Sequence, residues 1–261
     1  MPSEYFFKKG LEKLKKEGKN FFLFFDFDGT LVPIQNNPAH CLLSSPIRGQ
    51  LKKIILSGSA SIAILSGRSL PDIKKRVQLD GIYYGGNHGL EIAGPGINFI
   101  HPEAHSFKHI IEKVSQSITE ATRNFPGVFI EKKNFSFTLH FRMACKEDKR
   151  LVRRIFHSII SERFAGYTFR VIKGKQVLEL APDTMWDKGR AALFILQKLN
   201  RNNLPVYVGD DFTDEMAFMA LKKRGITIRI GRSQKTEAEY YLKGQYEILK
   251  FLKTIYGIIE R

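Results

Sequence analysis

Three short apolar runs punctuate the chain: Phe21-Phe22-Leu23-Phe24-Phe25, Ser61-Ile62-Ala63-Ile64-Leu65 and Pro205-Val206-Tyr207-Val208-Gly209. Runs this short that do not alternate with polar residues predict strands buried on both faces, as parallel sheets require. Each gives way to polar or glycine-rich residues and then to a helical period. The second leads into Ser66-Gly67-Arg68-Ser69-Leu70-Pro71-Asp72, and the third into a segment whose Met216, Phe218, Met219 and Leu221 are expected to cover a sheet. Strand, loop and helix in repetition predict an open α/β sheet with helices on both faces.

Between Ala104 and Leu180 the period changes. A helical pattern over 106–124 stops at Asn124-Phe125-Pro126-Gly127, strands are expected near 128–131 and 135–142, a second helix over 147–163, and further strands near 167–172 and 176–180. Alternation of Phe135, Phe137, Leu139 and Phe141 marks a sheet with one buried face. The expectation is an α+β domain, residues 104–180, inserted into a larger domain of residues 1–103 and 181–261. Within residues 1–20, Leu11 and Leu14 lie among Lys13, Lys15 and Lys16, a short basic amphipathic helix expected to dock by its apolar side, with a membrane or nucleic-acid role as the alternative.

With 261 residues and 43% hydrophobic content the chain can bury a sizeable core. Its apolar runs fall far short of the ~20 residues that cross a bilayer, and its charged N-terminus lacks the features of a signal peptide. A cytoplasmic protein is expected, with Cys41 and Cys145 both free. The net charge of +16 speaks of partners rather than fold. Nucleic acid, anionic lipid and a phosphorylated small molecule would all answer it. Much of the excess lies in the insert, with about 15 Lys and Arg. No segment carries a nucleic-acid-binding motif, and the aromatic residues gather in core-like runs rather than stacking platforms.

Chemistry concentrates where the apolar runs end, the side of an α/β sheet on which ligands bind. Asp26 and Asp28 close the first run. Two carboxylates so near raise each other's pKa unless a cation intervenes, and a hard divalent ion such as Mg²⁺ suits oxygen donors of this kind. A carboxylate there can attack phosphorus while a second one moves protons; Asp28-Gly29 can equally be a chain-reversing turn. Ser66 opens a helix and is either an N-cap or a phosphate ligand. Gly209-Asp210-Asp211-Phe212-Thr213-Asp214-Glu215 adds carboxylates at a third strand end, of which Asp214 and Glu215 also suit a helix N-terminus. Lys188 is a surface charge or the partner of a phosphate.

Taken in order, Asp26-Phe27-Asp28-Gly29-Thr30, Ser66, Lys188 and Gly209-Asp210-Asp211 resemble the four motifs of the haloacid dehalogenase-like phosphohydrolases. The resemblance implies a mostly parallel Rossmann-like core with Asp26 as nucleophile, Asp28 as general acid and base, and Ser66 and Lys188 on the phosphate. It also implies Mg²⁺ held by Asp26, the Asp28 carbonyl and Asp210, with Asp211 and Asp214 in support.

From about Phe21 onward, DFDGTLVPI, AILSGR, YYGGNHGLEI, FPGVFIEKKNFSFTLHFR, GKQVLEL, WDKGRAAL and YVGDDFTDEMAF are similar to segments of the trehalose-6-phosphate phosphatases. That likeness implies hydrolysis of trehalose 6-phosphate and a mobile cap formed by residues 104–180. Arg68, Asn87 and His88 in the core, and Glu131, Arg142, Lys175 and Glu179 in the cap, are then candidates for binding substrate, with Lys133 and His140 on the same strands. Each cap residue has a plain alternative as a solvent-facing strand position. Where the family usually has Arg-Pro after this glutamate, the chain has Leu180-Ala181-Pro182, a departure that bears on specificity. Phosphates of sucrose, mannosylglycerate or glucosylglycerol are the alternative substrates. A basic module that binds nucleic acid or an anionic membrane surface, and an inactive regulatory relative, are the alternatives in kind. A monomer is expected, with a trehalose-6-phosphate synthase as candidate partner enzyme.

Overall fold

All five residues of the FFLFF run are fully buried in strand β2 (Phe21–Phe25). Phe21, Leu23 and Phe25 join one apolar cluster while Phe22 and Phe24 join another on the opposite side. This strand lies in the middle of a nine-stranded sheet in the computed structural model, which describes residues 3–17, 20–35, 40–174, 176–199 and 203–261. The order across the sheet is β1 (Glu4–Tyr5), β13 (Tyr240–Leu242), β12 (Ile226–Ile230), β11 (Leu204–Gly209), β2, β3 (Ala60–Leu65), β4 (Tyr83–Gly86), β5 (Glu91–Gly94) and β6 (Ile97–Ile100). Strands β1 to β4 in that order pair in parallel, and β5 turns antiparallel to β4.

From β2 the chain builds outward through β3 and β4. After the insert it builds the opposite way, through β11, β12 and β13. The carboxyl ends of β2 and β11 therefore flank the switch point of the sheet, where an open α/β fold leaves its crevice. Helices cover both faces. On one, α2 (Ser45–Leu56) contributes Leu51 and Ile54, α3 (Leu70–Val77) Ile73 and Val77, and α8 (Ile248–Ile259) Phe251, Leu252 and Ile255. On the other, α6 (Lys188–Leu199) contributes Ala191, Ala192 and Ile195, and α7 (Glu215–Leu221) Ala217, Phe218 and Leu221. The expected set on α7 is thus corrected: Met216 and Met219 are 41% and 49% exposed, because Ala217 takes the inward position between them.

The basic helix at the N-terminus is α1 (Gly10–Glu17). Leu14 is fully buried in the same cluster as Phe251, and Lys13 reaches Glu239 at 3.2 Å. Strand β1 precedes it and lengthens the sheet beyond β13, an element too short to show in the periodicity.

The second compact unit spans Ile100–Met185, and the first comprises Met1–Phe99 and Trp186–Arg261. The boundary lies a few residues outside 104 and 180, because helix α4 (Pro102–Thr122) starts at a proline in its first turn and β10 (Val177–Pro182) runs on through Pro182. Strands β7 (Phe129–Lys132), β8 (Phe137–His140), β10 and β9 (Phe169–Gly174) form an antiparallel sheet in that order. One face packs Phe137, Leu139, Leu178 and Leu180 against Ile111, Val114 and Ile118 of α4 and Val152 and Phe156 of α5 (Lys146–Arg163). Among the described residues no helix is long and apolar enough to cross a membrane. Cys41 and Cys145 are both free, and the Sγ of Cys145 caps α5 by accepting from the Asp148 amide.

Phe24 is fully buried and stacks on Phe22 with centroids 4.5 Å apart. Phe24→Ala is expected to cost about 3–5 kcal/mol in urea unfolding; a loss below about 1 kcal/mol would show that β2 is not the centre of the core.

Candidate active site

Asp26 follows β2 directly, and its amide donates to the Val208 carbonyl of β11 at 2.9 Å, so the sheet pairing extends to the first acidic residue. The chain then turns through Gly29 at φ +91°, a left-handed conformation that favours glycine. A side chain at this position would also collide with the Asp210 carboxylate. The absence of a Cβ lets the turn after β2 approach the acidic end of β11, where the Thr30 hydroxyl donates to Asp210 Oδ1 at 3.4 Å.

Lys188 begins α6 and is 2% exposed. Its Nζ donates to Asp26 Oδ1 at 2.7 Å and to Asp214 Oδ1 at 2.8 Å. Asp214 is completely buried, and both of its oxygens are used twice. Oδ1 also accepts from the Tyr207 hydroxyl at 2.8 Å, and Oδ2 accepts from the amides of Asp210 and Asp211 at 3.0 Å each. Asp214 therefore fixes the ammonium and the loop together. Tyr207, placed by an apolar run that reads as pure core, was not legible as part of the site. Its hydroxyl was the one polar signal in that run.

Carboxylate oxygens of Asp26, Asp210 and Asp214 come within 4.8 Å of one another, making this the acidic cluster able to hold a metal among the described residues. Burial, then the charges of Asp214 and Asp210, carry Asp26 well above the usual carboxylate range, although Lys188 opposes them. Asp210 is pushed up to about 6 by burial and then by Asp214. Burial works against the charge on Lys188, but the two carboxylates it touches raise its pKa. Three acidic groups share one ammonium in a buried place. This deficit of positive charge, on a donor set made wholly of oxygen, fits a hard divalent cation. Asp26 and Asp210 are the members suited to hold it, since Asp214 is saturated by hydrogen bonds.

The other acidic residues are used differently. Asp211 stands outside the cluster and caps the turn that follows, accepting from the Phe212 amide at 2.6 Å and forming a capping box with Asp214. Its carboxylate is thus engaged at the head of that turn. The Asp28 carboxylate also stands outside it, held in a two-pronged pair by Arg68: Nε to Oδ2 at 2.6 Å and Nη2 to Oδ1 at 2.7 Å. Arg68 Nη1 reaches Asp72 at 3.0 Å, and Asp72 in turn accepts from Arg76 at 2.7 Å. Asp72 and Arg76 are an i, i+4 pair on α3, and Arg68 precedes that helix by two residues. Burial, then the adjoining Asp28 charge, push the Cys41 thiol up.

Ser66 is buried at the end of β3, and its Oγ accepts from the Arg68 amide at 3.2 Å. Asn87 and His88 both adopt positive φ, and their amides donate to the carbonyls of Arg68 and Ser66 at 2.7 and 2.9 Å, which straps one loop to the other. The Asn87 side-chain amide donates to Glu91, and the His88 ring lies against Gly67. The geometry thus gives Asn87 a loop-building partner inside the protein.

In the second unit, Glu131, Thr138 and Glu179 stand side by side across three strands, on the face opposite the helices. Glu131 meets His140 Nε2 at 2.8 Å, and the imidazole stacks on Phe129 at 4.6 Å. Glu179 meets Lys133 at 2.9 Å and accepts from Ser136 at 2.8 Å. Arg142 is half-buried just beyond β8. Lys175 lies outside the described residues.

An open parallel sheet with acidic residues at its switch point and an inserted α+β unit is the haloacid dehalogenase-like architecture. A solved trehalose-6-phosphate phosphatase C-terminal domain of C. albicans superposes with a TM-score of 0.81 over 98% of both chains, at 23% identity. A crystal structure of a trehalose-6-phosphate phosphatase related protein gives 0.79 at 26% identity, covering 92% of this chain and 100% of that one. Residues 24–246 match the trehalose-phosphatase family. "Probable trehalose-phosphate phosphatase D" of Arabidopsis thaliana is 35% identical over 255 residues, 92% of this chain and 68% of that protein. The chain belongs to the trehalose-phosphatase family.

Asp214→Ala strips partners from a buried ammonium, a buried phenol and two amides, and is expected to cost about 3–5 kcal/mol in chemical denaturation. Asp211→Ala removes only a cap and should cost about 1 kcal/mol. Equal losses would contradict the division between the two aspartates.

Proposed function

We propose that this protein hydrolyses trehalose 6-phosphate to trehalose and phosphate, with Asp26 as nucleophile. The observation that carries the reading is the Lys188 ammonium, which bridges Asp26 and Asp214 at 2.7 and 2.8 Å beneath the switch point of the sheet. The substrate follows from membership of the family and from the trehalose-phosphate phosphatases to which the chain is similar.

In the proposed reaction an oxygen of Asp26 attacks phosphorus, the bond from phosphorus to the sugar oxygen breaks, and Asp28 delivers a proton to that leaving oxygen. Water then attacks phosphorus and gives a proton to Asp28, while the bond to Asp26 breaks and inorganic phosphate leaves. Lys188 and the Ser66 hydroxyl offer donors to the phosphate oxygens. Asp26, Asp210 and the Asp28 backbone carbonyl would hold Mg²⁺, which when bound supplies charge stabilisation for the phosphoryl group. The polar row of Glu131 and Glu179, with Lys133 paired to Glu179 and with Arg142 and Lys175 added from the sequence alone, is the surface this reading assigns to sugar hydroxyls, whose recognition favours charged groups with directional hydrogen bonds. The excess of Lys and Arg suits an anionic substrate. A monomer working beside a trehalose-6-phosphate synthase is the setting this reading implies.

Phosphate release with Mg²⁺ should be highest for trehalose 6-phosphate in a panel with sucrose 6-phosphate, mannosylglycerate phosphate, glucose 6-phosphate and an aryl phosphate. Preference for another sugar would overturn the substrate and keep the chemistry. Asp28→Asn should lower turnover of trehalose 6-phosphate by about 10²–10⁴-fold, and a change below about threefold would remove Asp28 from proton transfer. Chelation by EDTA should stop turnover and added Mg²⁺ should restore it; turnover that persists in EDTA would refute the metal site.

A further inference from the structure

The pairing of Arg68 with Asp28 gives Arg68 a role other than grip on the substrate. We propose that Arg68 is a positioning residue that sets the Asp28 carboxylate for the attack of water, and that Asp72 sets Arg68 in turn. The inference rests on the reading of Asp28 as the group that moves protons.

Three of the guanidinium nitrogens are engaged by carboxylates. Nε and Nη2 meet the two oxygens of Asp28 in the parallel two-pronged geometry that fixes a carboxylate in direction as well as distance. Nη1 meets Asp72. The guanidinium carbon lies 5.7 Å from the centroid of Phe27, the residue between the two acidic positions of the loop, so its plane is held by an aromatic face as well. Arg68 is 7% exposed. An arginine buried to this degree, with its plane fixed, does not sample the rotamers by which a surface arginine would follow an incoming phosphate.

Asp72 has no place in the four motifs, yet the arrangement depends on it. It stands in the first turn of α3, where a carboxylate is favoured, and Arg76 one turn later donates to the same oxygen that receives Arg68. Arg76 also donates to the Cys41 carbonyl at 2.9 Å. The run Asp28, Arg68, Asp72, Arg76 thus alternates in sign from the loop after β2 to the backbone at Cys41, and α3 holds its far half rigid. Its near end fixes the direction of the Asp28 carboxylate, which in this reading accepts the proton when water attacks phosphorus and the bond to Asp26 breaks.

Single turnover of 4-nitrophenyl phosphate with Mg²⁺ separates the steps, because nitrophenolate leaves without a proton and reports the first, while a phosphate sensor reports the second. Arg68→Gln should slow phosphate release by about 10²-fold and leave nitrophenolate release within about twofold. Asp72→Asn, which keeps the shape, should shift the same step in the same direction by a smaller factor, and Arg68→Lys should recover part of the loss, since it returns a charge without the fork. Thermal midpoints of the three variants keep folding defects apart. Equal slowing of both steps in Arg68→Gln would make Arg68 a phosphate ligand or a fold element and overturn the proposal, as would no change in either. If the unsubstituted protein releases neither product from this ester nor from trehalose 6-phosphate, the phosphatase reading falls before any variant is made.

Discussion

One buried ammonium ties the site together. Lys188 reaches from the start of a helix on one face of the sheet to the carboxylates of Asp26 and Asp214, which hang from the ends of two neighbouring strands. Each of these charges would be expensive to bury alone, and the shared ammonium offsets part of that cost at the switch point. Much of the local geometry follows from that. The lack of a side chain at Gly29 brings the turn close to Asp210, Tyr207 turns a hydroxyl out of an otherwise apolar strand, and two amides of the next loop close on Asp214.

Five aspartates gather around the ends of β2 and β11, and their environments separate them. Asp214 spends both oxygens inside the protein, Asp211 caps a turn, and Asp28 is clamped by Arg68. Asp26 and Asp210 remain as the pair whose pKa is raised by burial and crowding and whose chemistry a divalent ion would complete. Proximity in the sequence thus says little about role. Asp210 and Asp211 are neighbours and point to different tasks, while Lys188 and Asp26 are distant in the chain and touch.

The sheet was legible because β2, β3 and β11 are buried on both faces and so carry uninterrupted apolar runs. The insert was legible from the alternation around Phe137 and Leu139. Strands β1 and β13 were not, since a two-residue and a three-residue strand leave no period to read. Met216 and Met219 read as core and lie exposed, because a helical period of hydrophobic residues does not say where an alanine can substitute for a methionine against the sheet. In the site, residue types at strand ends pointed to Asp26 and Asp210, and the order of the motifs pointed to Lys188. What the sequence could not distribute were the hydrogen bonds: that Asn87 would hold Glu91, that Asp214 would be saturated, or that Arg68 would face Asp28. Those depend on loop conformations with positive φ at Gly29, Asn87 and His88, which the tertiary structure alone determines.

The central claim is that Asp26 carries the phosphoryl group, and the most direct measurement is to trap it there. Turnover of trehalose 6-phosphate would be quenched with borohydride, which reduces an aspartyl phosphate to an alcohol, and the position of the reduced side chain read by peptide mass spectrometry. Reduction confined to position 26 is the predicted result. Reduction at another acidic residue, or none at all while phosphate is released at full rate, would contradict the account.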